Sequence, residues 1–140
     1  MTVLADFNTI IHEAPRELRV QPGNPSQLGA AFNTGGRLGE DDPKQTGPLA
    51  AFIMFSVLNL KVPLDVFVND EETGEGPIGT MDPNPDSGWY SQVLCMSGGR
   101  LISGDGDNNK ISVALPLGST AGASTFMIKN LICFYHQDSD

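Results

Sequence analysis

The sequence predicts an all-β protein. Glycine and proline are abundant in the 140-residue chain, with 16 and 10 copies, a composition that favours many turns over long helices. From residue 49 onward, runs rich in Val, Ile, Phe, Leu and Tyr recur between Gly, Pro, Asn and Asp, the pattern of short strands. Strands do not alternate with helices as in a parallel sheet. We expect an antiparallel β-sandwich or jelly-roll-like barrel, with an extended Gly/Pro-rich N-terminal arm and at most one short helix.

The opening of the chain permits two kinds of secondary structure. Val3, Phe7, Ile10 and Ile11 fall at spacings that allow one short helix. The run ELRVQ at residues 17–21 fits a short strand equally well.

The Gly/Pro-rich stretch that follows lacks the apolar pattern of a self-contained core. It is either a linker, a surface loop or an arm that orders on another subunit. We therefore divide the chain into an N-terminal arm or extended segment at 1–48 and a compact β-domain at 49–140, and expect the second part to fold without the first. The arm would be anchored on a neighbour by five apolar residues: Phe7, Ile10, Ile11, Leu28 and Phe32.

The strand candidates of the second part carry apolar residues on both faces. Alternation along the run at 125–136 places Met127, Leu131 and Tyr135 on one face and mostly apolar residues on the other. An antiparallel strand with one wet face would alternate apolar and polar residues. A second protomer, the N-terminal arm or the domain's own loops must therefore cover these strands, and Met127, Leu131 and Tyr135 are the interface candidates. The predicted strands are 49–60, 63–69, 88–97, 100–103, 110–116 and 125–136.

The stretch GDGDNNK at 104–110 raises the question of a metal site. Asp105, Asp107 and Asn109 match the first, third and fifth ligand positions of an EF-hand loop. The sixth position, however, is Lys110 where glycine is required, and the twelfth is Pro116 where a bidentate glutamate is required. We predict no bound metal and interpret the stretch as a hairpin turn, because Asp-Gly and Asn-Asn tolerate the left-handed backbone of such turns.

The charge of the chain limits its partners. Asp and Glu outnumber Lys and Arg 17 to 8, for a formal charge of −9, so the surface should repel nucleic acid and anionic membranes. The first residues show no signal peptide, and the longest apolar run is too short to span a bilayer. We expect a cytoplasmic protein, or one on a virion surface if it is viral.

No set of residues in the sequence predicts catalysis. His12 and His136 are the two histidines, they lie near opposite ends of the chain, and no nucleophile, zinc or phosphate-loop motif is present. Cys95 and Cys133 lack metal-ligand spacing and are expected to be buried, reduced thiols. We predict a non-enzymatic protein without a cofactor.

Trp89 and Tyr90 follow the polar loop PDSG and allow two interpretations. A tryptophan at a strand entry usually closes the end of a β-core. Alternatively, the two rings stack on sugar, and the protein is a carbohydrate-binding β-sandwich, lectin-like and possibly calcium-dependent. Its ligand-binding residues would then be Trp89, Tyr90, Asp105, Asp107 and Asn109.

The overall layout resembles that of small bacteriophage head-decoration, or cement, proteins. A Gly/Pro-rich arm (PGNPSQLGAAFNTGGRLGEDDPKQTGP) precedes an acidic β-module that ends in a long apolar strand (STFMIKNLICFYHQ). The resemblance is one of organisation, without a shared motif. It implies a homo-oligomer, commonly a trimer, that docks in many copies on a capsid and stabilises the lattice.

Overall fold

The computed structural model describes residues 3–12, 14–34, 50–70, 74–83, 88–97, 100–102, 104 and 106–138. These residues form nine strands in two antiparallel sheets, so the prediction of an all-β fold is confirmed. No helix in the described part of the chain is long and apolar enough to cross a membrane. The strands are β1 (Val3–Ile11), β2 (Arg16–Val20), β3 (Ser26–Gln27), β4 (Ala51–Leu58), β5 (Leu64–Val68), β6 (Gly79–Met81), β7 (Tyr90–Met96), β8 (Ile111–Ala114) and β9 (Ser124–Asp138).

The first sheet has five strands and is organised around β9. Its order is β1-β9-β4-β7, and β2 also pairs with β9. β4 occupies one edge of β9, while β1 and β2 share the other edge, β1 beside its C-terminal half and β2 beside its N-terminal half. The 15-residue strand β9 therefore has partners along both edges.

The second sheet has four strands in the order β3-β8-β5-β6. The side chain of Gln92 in β7 joins the sheets, because its Nε2 donates to the Asp82 carbonyl at 2.9 Å and its Oε1 accepts from the Asp82 amide at 2.8 Å. Gly79 of β6 lies against Leu94 of β7, and a Cβ at this glycine would stand 3.0 Å from a Leu94 methyl group. A side chain larger than hydrogen at position 79 would require the Leu94 side chain to shift.

A single apolar core contains residues of both sheets. β4, β5 and β8 each bury alternate side chains, as strands with one face in the core do. Burying an aliphatic or aromatic side chain completely stabilises the fold by roughly 1.5–3 kcal/mol. The largest fully buried side chains are Phe55, Phe126, Ile11, Leu28, Ile53, Leu60, Leu64, Met81, Ile111, Ile128, Leu131 and Val20.

A bulge at Asn130 interrupts the alternation of β9. Asn130 has a φ of 55°, a left-handed conformation that asparagine tolerates better than most residues. The pairing of β9 with β4 shifts register between Met54 and Ser56 at this point. Because of the extra residue, Phe126 and Ile128 face the core before the bulge, and the odd-numbered residues Leu131, Cys133 and Tyr135 face it afterwards.

The N-terminal segment is built into both sheets. The short helix that the spacing of Val3, Phe7, Ile10 and Ile11 allowed does not form, since Val3–Ile11 is strand β1. The alternative strand at 17–21 corresponds to β2, and β3 pairs with β8. Four side chains from this segment, those of Ile11, Val20, Leu28 and Phe32, lie in the core.

The predicted hairpin at 104–110 is wrong. β8 pairs with β3 and β5, and residues 100–102 lie outside the strands, so the stretch does not join two neighbouring strands. Five of the predicted strands, 49–60, 63–69, 88–97, 110–116 and 125–136, correspond to β4, β5, β7, β8 and β9. The three-residue strand β6 was not predicted, because GTM carries too short a pattern.

Candidate functional site: the outer face of the five-stranded sheet

The outer face of the five-stranded sheet carries two apolar rows that run across four strands. Strand register places Phe7, Phe134, Phe52 and Cys95 side by side on β1, β9, β4 and β7. The next row contains Thr9, Ile132, Met54 and Val93 on the same strands. We call these eight residues the aromatic face: Phe7, Thr9, Phe52, Met54, Val93, Cys95, Ile132 and Phe134.

The three rings of the aromatic face form a stack that is open to solvent. The ring centroids of Phe52 and Phe134 lie 4.6 Å apart in a stacked arrangement, and those of Phe7 and Phe134 lie 6.0 Å apart with a tilt of 38°. These distances fall within the favourable range for aromatic pairs. Phe7 nevertheless remains 59% exposed, and Phe52 36% exposed, so the stack fixes the rings without burying them.

The second row extends the apolar area towards the open edge of β7. Val93 is 53% exposed, while Met54 and Ile132 are half-buried between their neighbours. Cys95 is exposed as well, which corrects the expectation of a buried thiol at this position. Both apolar rows thus continue from β1 to β7 without a charged side chain.

Polar side chains border the aromatic face on one side. The hydroxyls of Ser56 and Ser91 are hydrogen-bonded at 2.8 Å. Lys129 places its Nζ 4.2 Å from the centroid of the Trp89 ring, a cation–π contact that orders both side chains. Of the ring pair considered for sugar stacking, Trp89 therefore already has a cationic partner, and Tyr90 is exposed.

The three interface candidates on β9, Met127, Leu131 and Tyr135, lie on different faces of the sheet because of the bulge at Asn130. Leu131 and Tyr135 lie in the core, with exposed fractions of 0% and 4%. Met127 is half-buried and pairs with Leu58 and Glu17 on the outer side of the sheet. Sequence alternation alone could not place the three residues, because it carries no signal for an extra residue in the strand.

The proposed arm anchors also divide between surface and core. Phe7 belongs to the aromatic face, whereas Ile11, Leu28 and Phe32 are buried within the same chain. Ile10 is partly buried and packs against the core. Gly29, with a φ of 68°, allows this packing, since a Cβ there would lie 2.7 Å from a side-chain carbon of Ile10.

The acidic stretch at 104–110 contributes to a hydrogen-bond network in the interior. Asn109 is fully buried. Its Oδ1 accepts from the Ile102 amide and from Nδ2 of Asn69, and its Nδ2 donates to the Ile102 carbonyl. The side chain of Asn69 also bonds Lys110 and Arg100 through their backbones. The network ties the loops around β5 and β8 together, and burial keeps the Asn109 side chain away from a ligand at the surface.

Asp107 lies at the surface beside this network. Its carboxylate accepts a hydrogen bond from Nδ2 of Asn33 at 2.8 Å, while Asp105 lies outside the described residues. Within the described ranges, no group of three His, Cys, Asp or Glu side chains is placed to hold a metal ion. The described part of the loop therefore provides no cluster of calcium ligands to support the calcium-dependent interpretation.

The two cysteines differ in environment. Burial raises the pKa of the Cys133 thiol to about 12, which suppresses its reactive thiolate. Cys95, on the aromatic face, is open to solvent, and neither cysteine forms a disulfide. Cys95 is consequently a selective chemical reporter for whatever covers this face.

Comparison of the chain with protein-family models, characterised proteins and solved structures gave no match. The functional argument therefore depends on the chemistry of the surface itself.

Proposed function

We propose that this protein is a non-enzymatic assembly protein that binds other protein subunits through its aromatic face. The observation that supports this function is the continuous row of exposed Phe7, half-buried Phe134 and exposed Phe52, beside exposed Val93. Contiguous apolar patches on a protein surface commonly mark interaction sites, and aromatic side chains dominate the energetics of such sites. A multi-copy virion component, such as a trimeric capsid decoration protein, is the specific role that we propose.

The size of the aromatic face favours an assembly with many copies. Strands about 4.8 Å apart, with side chains of one face about 7 Å apart along each strand, give the eight residues an area on the order of 300 Å². A stable interface buries about 800 Å² on each partner. Covering about 300 Å² contributes roughly 7 kcal/mol at 25 cal/mol per Å², which is comparable with the cost of association. A single contact is therefore weak, and repeated contacts on a lattice supply the affinity.

The charge of the chain is consistent with a protein partner. A formal charge of −9 disfavours phosphate-rich surfaces, whereas the two rows of the aromatic face carry no charged side chain. A partner can approach this face without apposing carboxylates. As the architectural part of the proposal, the two sheets pack face to face as a β-sandwich, which the shared core supports.

Sedimentation in a native lysate from the source organism tests the proposal. The chain would be followed across a gradient by peptide mass spectrometry, in parallel with an expressed Phe52→Thr/Val93→Thr variant. Threonine keeps the strand propensity of both positions and removes their apolar surface. We expect the wild-type chain to migrate with megadalton particles and the variant to remain at the position of the free protein.

Two measurements make this test specific. Leu117→Ser is the matched control, because Leu117 is fully exposed outside the aromatic face, and we expect it to migrate as the wild type does. Maleimide should label Cys95 in the free protein at least tenfold faster than in the particle fraction. Migration of the wild type as free protein, or unchanged labelling of Cys95 in the particles, would refute the proposal.

A further inference from the structure

The outer face of the four-stranded sheet forms the floor of a groove with a volume of about 710 Å³. Register places Gln27, Ser112 and Phe67 side by side on β3, β8 and β5, with Ala114 and Asp65 in the next row. All five side chains line the groove. Its volume lies within the usual range of ligand sites, about 300–1,000 Å³.

The walls of the groove are rich in proline. The turn at 22–25 and the loop at 115–119 flank the floor, and they supply Pro22, Pro25 and Pro116, while Pro77 lines the groove after β5. Because proline has a fixed φ, the backbone of these walls is already restricted and loses little conformational entropy when a ligand binds. The groove is therefore preorganised.

Hydrogen-bonding groups in the groove are available to a ligand. The side chains of Asp65, Ser112 and Lys110 line it, and none of them has a side-chain hydrogen bond or ion pair within the described residues. The side chains of Asn69 and Asn109, in contrast, are buried and hydrogen-bonded to their neighbours. Phe67 is half-buried and presents an aromatic surface among these polar groups.

The chemistry of the lining excludes several classes of ligand. Asp65 and Asp70 outnumber Lys110 in the groove, so a phosphorylated or otherwise anionic ligand would meet a net negative charge. A peptide cannot add as a strand beside β5 or β8 in the middle of the floor, because both strands already have partners on both sides. A purely apolar ligand would bury the carboxylate of Asp65, which has no hydrogen-bond partner among the described residues, at a substantial energetic cost.

We propose that the groove binds a neutral carbohydrate chain. The Phe67 ring packs against the apolar C–H face of one sugar ring, as aromatic side chains do with flat apolar surfaces. The carboxylate of Asp65 accepts hydrogen bonds from hydroxyl groups, and Lys110 donates to them. Ser112 lies diagonally across from Asp65 and two residues from Lys110, which spaces neighbouring polar groups by about 7 Å along the floor. This site is separate from Trp89 and Asn109 and does not depend on the assembly function.

Titration by NMR tests the site directly. Uniformly 15N-labelled protein would be titrated to 10 mM with five neutral hexasaccharides: cellohexaose, laminarihexaose, maltohexaose, xylohexaose and chitohexaose. We expect at least one of them to shift the amide resonances of Phe67, Ser112 and Lys110 in a saturable manner. Asp65→Asn and Phe67→Thr should each weaken this binding at least tenfold.

Matched variants separate the groove from other surfaces. Asp107→Asn removes a carboxylate outside the groove and should leave the affinity unchanged, as should Phe52→Thr on the aromatic face. A dispersed spectrum of each variant verifies that it is folded. The absence of groove shifts with all five sugars would overturn the proposal, and so would shifts confined to Trp89 and its neighbours or equal affinity in the folded Asp65→Asn variant.

Discussion

The two sheets share the chemistry of their inner faces and differ on their outer faces. β4 and β5 both bury alternate aliphatic or aromatic residues. On the outside, β4 presents Phe52 and Met54 to solvent beside Phe134, whereas β5 presents Asp65 and Phe67 beside Ser112. One outer face is thus an apolar surface of aromatic rings. The other is a groove lined by polar groups, among them Asp65 and Ser112.

This difference shows how the alternation of a strand relates to its role. β5 and β8 bring polar side chains to their outer face, as strands exposed to water do. β4 and β9 carry apolar residues on both faces, and Phe52 on their outer face is exposed to solvent while Phe134 is half-buried. Under the proposed assembly function, apolar residues on both faces of β4 and β9 leave one face for a protein partner. Under the proposed carbohydrate site, β5 and β8 instead combine polar side chains with one aromatic ring on their outer face.

Removing residues 1–34 should have the largest effect, because it takes strands from both sheets. The deletion removes β1, β2 and β3 and exposes a whole edge of β9. It also removes four core side chains, Ile11, Val20, Leu28 and Phe32. At roughly 1.5–3 kcal/mol for each buried side chain, this loss approaches the total stability of a domain, about 5–15 kcal/mol.

We expect the truncated chain to lack a cooperative thermal unfolding transition and a dispersed NMR spectrum. The Gly/Pro-rich composition indicated a module that folds without the N-terminal segment. The structure predicts the opposite, because strands of that segment belong to both sheets. A folded 35–140 fragment with an intact groove would contradict the integration of β3 into the four-stranded sheet.

The sequence predicts the fold class and five strands because those runs combine β-branched and aromatic residues with flanking turns. It misassigns the N-terminal segment because Phe7 and Ile11 lie four residues apart, a helical spacing, and the bulge at Ile10 that shifts the register between Thr9 and Ile11 leaves no sequence signal. Long-range pairing with β9 makes this segment a strand instead of a helix. The same limitation hides Asn109, whose polar side chain is typical of a surface turn but is buried by contacts with Asn69 and Ile102.

Substitution of Asn109 should lower the free energy of unfolding by disrupting the loops around β5 and β8, on the groove side of the molecule. Asn109→Ala leaves the Ile102 amide and carbonyl without this partner and removes the acceptor for Asn69. Unsatisfied buried groups cost about 1–3 kcal/mol each when they cannot relax, so we expect a loss of about 2–4 kcal/mol in the free energy of unfolding. Urea denaturation measures this loss.

The control for this substitution is its neighbour. Asn108 is exposed, so Asn108→Ala should change the free energy of unfolding by less than about 0.5 kcal/mol. Cys95 on the aromatic face should react with maleimide at the wild-type rate in both folded variants. Equal stability of the Asn109→Ala and Asn108→Ala variants would show that the network does not hold the loops around β5 and β8.

Alkaline pH should lower the free energy of unfolding through two groups on the inner side of β9, Cys133 and Tyr135, beneath the aromatic face. Burial raises the pKa of Cys133 from 9.0 to about 12. Burial, the charge of Asp6 and the charge of Cys133, in that order, raise the pKa of Tyr135 from 10.0 to about 12. Both groups are largely neutral in the folded and unfolded states up to about pH 8, and the unfolded thiol is half ionised near pH 9. Above this pH the unfolded chain loses protons first, so the free energy of unfolding falls, by at most about 1.4 kcal/mol per pH unit for each group.

Urea midpoints measured between pH 8 and 11.5 would show this decline, and two cysteine variants identify its source. Cys133→Val removes the buried thiol with little change in volume, so its stability should fall less steeply than that of the wild type between pH 9 and 11.5. Cys95→Ser removes an exposed thiol and should retain the wild-type slope. If the Cys133→Val and wild-type proteins lose stability in parallel, the inner side of β9 is open to water at Cys133. The rings of the aromatic face would then lie over a loosely packed strand, and their exposure would no longer indicate a preformed docking surface.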